Sequence, residues 1–251
     1  MSDTLTKLRT SFAAKCVLAL AAAAVLLAVF ARAVPGSGLF FPLVSLWCNL
    51  ALFACVLLVL RVAGVKFDLF HKAIILGLWA AALVYFFWAL SRRTFLYHWD
   101  YVNYILKQYA AEAAFLQSPA AGLRFILDSI TEDYTNFITL FTEFPFCLSG
   151  KTGNDYAFCQ VFSVLPSLMV LLAGLTIKVG QMLRVKNRFW YFLIGLSWCI
   201  TFPFLRMSAM LSQPDWFGLI FALMLLLLTL DYRFDRMEPA RYLLIFAATA
   251  G

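Results

Sequence analysis

Residues 92–162 read RRTFLYHWDYVNYILKQYAAEAAFLQSPAAGLRFILDSITEDYTNFITLFTEFPFCLSGKTGNDYAFCQVF, and they differ in kind from the sequence on either side. The stretch carries Asp100, Glu112, Asp128, Glu132, Asp133, Glu143 and Asp155, seven of the chain's 13 acidic residues. Its flanks are largely apolar. Of 251 residues, 64% are hydrophobic and 13% charged, with a mean hydropathy of +0.87. A soluble domain is about 45–50% apolar and about 25% charged. A larger core cannot absorb that excess, so lipid is the solvent for most of the chain. The fold expected is an all-α, polytopic transmembrane helix bundle of about six to seven spans. In it, residues 1–91 form an N-terminal three-span segment, 92–157 an outward loop of interfacial helices, and 158–251 the C-terminal spans.

Working outward, Cys16–Val34 is the first apolar run. Its basic head and the Ala31-Arg32-Ala33 that follows share features with a signal peptide, but the run is long for one, so a retained helix is expected. Pro35-Gly36-Ser37-Gly38 marks a turn. Leu39–Leu60 and Ala73–Leu90 are the second and third runs, the latter ending in the interfacial aromatics Tyr85, Phe86, Phe87 and Trp88. Beyond the polar stretch, Phe158–Val179 (with Pro166), Phe189–Leu205 and Trp216–Leu230 follow, then a charged connection, Asp231–Arg241. Tyr242 opens a seventh run that ends at Gly251, so a longer parent sequence is expected.

The net charge is +7. The basic residues sit between apolar runs, which reads as membrane orientation rather than nucleic-acid binding. With the N-terminus in the cytoplasm, 13 of the 20 Lys and Arg fall on the cytoplasmic side. The other seven are spread over a much longer loop length. Residues 92–157 are therefore expected to face outward, to a periplasm or its equivalent.

Tyr101–Gln117 and Ala120–Ile130 carry apolar residues at helical spacing; periodicity alone favours helices that merely cap the bundle, and it also suits helices lying in the interface. Asp100, in His98-Trp99-Asp100-Tyr101, follows a membrane exit, where low dielectric raises a carboxylate's pKa and suits it to general-base work. It also suits a helix start. Glu132-Asp133-Tyr134 is a second acidic point; an acidic pair in a loop is more often just solvated, and carboxylates from two segments can also hold a divalent cation or orient a hydroxyl. Asp215 is a third, beside a span start. Cys147 and Cys159 both fall on the outward side, where an oxidising compartment would join them in a structural disulfide. The remaining cysteines read as small apolar fillers.

The Trp99-Asp100 pair opening an external loop, the amphipathic run after it, Ser129-Ile130-Thr131-Glu132-Asp133-Tyr134 and Gln213-Pro214-Asp215-Trp216-Phe217-Gly218-Leu219 appear in that order. Together, over 97–251, they resemble the bacterial GT-C integral-membrane glycosyltransferases. The resemblance implies an inner (plasma) membrane enzyme that moves a sugar from a polyprenyl-phosphate donor to a glycan or glycolipid acceptor at the outer face. It places the base at Asp100 and the second acidic site at Asp133 and Glu132, with a possible divalent cation (Mg or Mn) on Asp100 and Asp133. An anionic leaving group needs cations nearby, for which Arg92, Arg93, Lys107 and Arg206 are the candidates; His98, Tyr134 and Asp215 complete the expected substrate-binding set. Three runs precede the aspartate loop here, where such enzymes usually have one. Two other readings compete. A non-catalytic scaffold with an outward partner-binding loop predicts tolerance of alanine at Asp100 and Asp133. A transporter or flippase would carry ionisable residues within its spans, and the clear spans here have almost none.

Overall fold

A computed structural model describes residues 2–34, 37–92, 100–132, 135–201, 215–230 and 239–250, with backbone alone at 2–13, 100, 101, 215, 240, 247 and 250. Among these residues the chain is all helical: α1 (Ser2–Ala33), α2 (Phe40–Val62), α3 (Leu69–Ser91), α4 (Asp100–Gln117), α5 (Pro119–Asp128), α6 (Thr139–Phe146), α7 (Gly153–Met182), α8 (Arg188–Thr201), α9 (Asp215–Thr229) and α10 (Pro239–Ala250). Two 3-10 turns, Ser129–Thr131 and Asn136–Ile138, lie between α5 and α6.

Four helices are long and apolar enough to cross a bilayer: α1 over Ala14–Ala33, α2, α3 and α7. The fifth and sixth apolar runs form α8 and α9, and residues 202–214 between them lie outside the described residues. One boundary departs from expectation. Arg241, read as part of a charged connection, lies inside α10 and is buried. Its Nε donates to the carbonyl of Leu228 at 2.6 Å. The last carbonyls of a helix have no partner within it, so a guanidinium there supplies one.

The chain divides into two compact units: Met1–Ala54 with Leu90–Ser163, and Cys55–Ala89 with Val164–Gly251. In the first, α4 packs on α5. Pro119 opens α5, and the Ser118 hydroxyl accepts the Ala121 N–H at 3.1 Å. Proline tolerates the first helical position because its missing donor would be unpaired there anyway. Gly122 allows the close packing, since a Cβ there would sit 2.2 Å from the Phe115 ring. That ring in turn stacks on Phe41, with centroids 4.2 Å apart. Helix α7 begins with a reciprocal cap: Asp155 Oδ2 accepts from the Thr152 N–H at 2.9 Å, and Thr152 Oγ1 accepts from the Asp155 N–H at 3.2 Å.

Helix α6 is held from two sides. Pro145 lacks an N–H, so the Phe141 carbonyl four residues earlier has no helical donor. Asn49 Nδ2 of α2 and Ser163 Oγ of α7 both donate to it, each at 2.8 Å. Ser45 Oγ accepts the Phe144 N–H at 2.9 Å.

In the second unit the buried side chains include Leu168, Leu171, Leu196, Ile220, Leu227 and Leu228. Two glycines set close approaches. A Cβ on Gly174 would meet the tip of Leu60 at 2.2 Å, and one on Gly180 would meet the Tyr191 ring at 2.8 Å. The His71 ring lies against Phe70 and, edge-on, Phe192. Its Nδ1 accepts the Asp68 N–H at 3.2 Å, which fixes the start of α3.

Candidate functional site

The acidic stretch folds around α4, and its carboxylates sort by neighbour. Asp100 opens the helix, as its residue type favours. Lys107 stands seven residues on. Two helical turns return to the same face and advance about 10 Å along the axis. Lys107 Nζ pairs with Glu132 Oε2 at 3.0 Å. Glu132 is therefore brought from the far side of α5 onto the Asp100 face of α4. The hydroxyl of Ser129 holds the base of that turn: it donates to the Ile126 carbonyl and accepts the Asn136 N–H, each at 2.7 Å. Asn136 Nδ2 donates to the Phe125 carbonyl at 3.0 Å. Asp133 and Tyr134, between these anchors in sequence, lie outside the described residues, as do Arg93, His98 and Arg206. So do the side chains of Asp100 and Asp215, the latter opening α9. Arg92 is exposed beyond the end of α3.

A second group of carboxyls has no counterpart in the sequence reading. Glu143, on α6, is buried. Gln108 Nε2 donates to its Oε2 at 2.6 Å, and Thr142 Oγ1 donates to Gln108 Oε1 at 2.6 Å, fixing the amide. Burial first, then the charge of Glu112, raises the Glu143 carboxyl from 4.5 to about 8 against the Gln108 hydrogen bond. It is therefore mostly neutral at pH 7. Glu112 Oε1 is buried with no other donor, and the protonated Glu143 carboxyl supplies one. Glu112 Oε2 receives Lys151 Nζ at 2.7 Å. Burial works against the Lys151 ammonium, but its hydrogen bond and charge pairing with Glu112 outweigh this and raise its pKa. Lys151 holds this place in the left-handed backbone region, at φ 57°, a conformation that disfavours a non-glycine residue. Tyr109 helps anchor it by donating from its hydroxyl to the Lys151 carbonyl.

Glu112, Glu143, Lys151 and Ser37 line a cleft of about 130 Å³, walled by Phe41, Phe115 and Leu116. The group links α4, α6 and the turn before α7, and it presents one shared proton and one ammonium. Cys147 also lines this cleft. Burial, then Glu143, pushes its thiol pKa up, and its Sγ contacts the Phe144 carbonyl at 3.1 Å. The expected disulfide is not formed: Cys147 and Cys159 are both free, Cys159 buried in α7. Among the described residues, no three His, Cys, Asp or Glu side chains gather to hold a metal. The side chains of Asp100 and Asp133, where the divalent cation is expected, lie outside the described residues.

No known family model, curated protein or solved structure matches the chain.

Proposed function

We propose that the chain is an integral-membrane glycosyltransferase that moves a sugar from a polyprenyl-phosphate donor to a glycan or glycolipid acceptor at the face bearing residues 92–157. The observation that supports this reading best is the Lys107–Glu132 ion pair. It ties Glu132, which precedes Asp133 in sequence, to the helix that Asp100 opens, and this supports a reading in which both acidic points serve one site.

Asp100 takes the acceptor hydroxyl proton as that oxygen attacks the anomeric carbon. The bond from this carbon to the phosphate oxygen breaks, and polyprenyl phosphate leaves with the electron pair. Glu132 and Asp133 orient the acceptor's other hydroxyls. Cations near the membrane exit, Arg92 and Arg93 first, hold the leaving phosphate.

The test is donor consumption by protein in lipid nanodiscs, for the wild type and the Asp100→Asn variant. Wild-type turnover with a loss of about a hundredfold or more in the variant is expected, the scale of a missing general base. Equal turnover by the variant removes Asp100 from the chemistry. A wild-type chain inert toward every polyprenyl-phosphate sugar offered overturns the enzyme reading in favour of a scaffold.

A further inference from the structure

Within the second unit, the α2–α3 and α7–α8 connections enclose a cleft of about 430 Å³. Its rim carries Lys66 and Arg188, both exposed. Neither forms an ion pair with a described residue. One acid, Asp68, also lines the cleft, its carboxylate 3.8 Å from His71 Nδ1. The floor is aromatic: Phe70, Tyr191 and Phe192. The volume falls within the range of small-ligand sites.

This cleft does not end at its floor. Thr176 and Tyr191 also line a neighbouring groove of about 460 Å³, whose remaining walls are apolar: Leu175 and Val179 on α7, with Ile194 and Trp198 on α8. From Tyr191 to Trp198 the groove follows α8 for about 10 Å, away from the charged rim and into the apolar helix pair. Two glycines create it. Gly180 lets the Tyr191 ring lie on the α7 backbone, and at Gly195 a Cβ would sit 3.0 Å from the Thr176 methyl. Small residues at two points hold the helices close, and the larger side chains between them leave a channel. Ile194 and Trp198 are exposed along it.

A cationic mouth opening into an apolar channel fits one class of molecule, an amphiphile with an anionic head and a hydrocarbon tail. We propose that Lys66 and Arg188 bind the phosphate of an anionic phospholipid, and that one of its acyl chains occupies the α7–α8 groove. Charge complementarity selects the head: two unpaired cations and one acid leave a net positive rim, and guanidinium and ammonium groups are strong phosphate partners. Channel composition selects the tail. The site is separate from the donor position proposed above, and it stands whether or not that reading holds.

The experiment is native mass spectrometry of the detergent-purified full chain, titrated with dioleoyl phosphatidic acid, dioleoyl phosphatidylcholine or glycerol 3-phosphate. One phosphatidic acid should bind in preference to phosphatidylcholine of the same chains, and glycerol 3-phosphate should not displace it. The Lys66→Gln/Arg188→Gln double variant should bind phosphatidic acid about tenfold more weakly. The Trp198→Ser variant should weaken phospholipid binding without changing any response to glycerol 3-phosphate. All three altered side chains are exposed, so helical content by circular dichroism should stay at the wild-type level. A variant that loses it is replaced by Lys66→Gln alone, with the same loss of preference expected. Equal binding of both lipids, or undiminished binding by the charge variants, overturns the proposal. Displacement by glycerol 3-phosphate at comparable concentration overturns it in favour of a soluble phosphate ester.

Discussion

Glu143 is where burial and charge meet most sharply. Its ordinary pKa of 4.5 is raised to about 8 in the folded chain. The folded state therefore holds a proton that the unfolded state has released between those two values. Stability depends on pH through that difference in bound protons. For a raised carboxyl the contribution is fully present below pH 4.5 and is lost as pH rises through about 8. The apparent melting temperature in detergent should fall between pH 5 and pH 9, and Glu143→Gln should flatten that dependence. The amide keeps a donor toward Glu112 and an acceptor toward Gln108 without titrating. A slope unchanged in the variant would place the titrating group elsewhere.

Two helix contacts make predictions at the scale of elements. Phe115 is pinned on one side by Phe41, so it cannot yield to a methyl at position 122. Gly122→Ala should destabilise the α4–α5 pair by about 1–3 kcal/mol, the range of an overpacked core. Chemical denaturation followed by circular dichroism would measure it, and a neutral result would mean that Phe115 has room to turn. In α6, Pro145 leaves the Phe141 carbonyl to Asn49 and Ser163. Asn49→Ala should cost about 1–2 kcal/mol. In a Pro145→Ala background the restored N–H can take the same carbonyl, so the cost should shrink. A double-mutant cycle reads this directly, and additive effects would sever the link between the proline and its two donors.

At the scale of the molecule the chain has membrane character: among the described residues, four helices are long and apolar enough to cross a bilayer. The Lys and Arg bias predicts an orientation that direct measurement can check. In a background lacking the native cysteines, a membrane-impermeant maleimide should label Leu148→Cys in intact cells, since Leu148 is 76% exposed. Lys186→Cys should react only after permeabilisation. The reverse pattern would invert the topology and move residues 92–157 to the cytoplasmic face.

Local features of the sequence were enough for several elements. Continuous apolar runs give α2, α3 and α7, because a span needs only length and hydrophobicity. Periodicity gives α4 and α5 to within two residues. The boundary of α10 was not legible, because Arg241 looks like a loop charge until the Leu228 carbonyl is seen to accept from it. The same limit governs the sites. Asp100 and Glu132 were visible as acids beside aromatics, but the partnership of Glu132 with Lys107 was not. Lys151 reaches Glu112 across 39 positions, and Gln108 reaches Glu143 across 35. No spacing rule encodes such pairs. By itself, the sequence determined the solvent of the chain and the length of its long helices, since both depend on side-chain hydrophobicity summed along contiguous residues. Only the tertiary structure decided which carboxyls are buried together and which keep their water, because desolvation depends on what folds over a group and not on its neighbours in the chain.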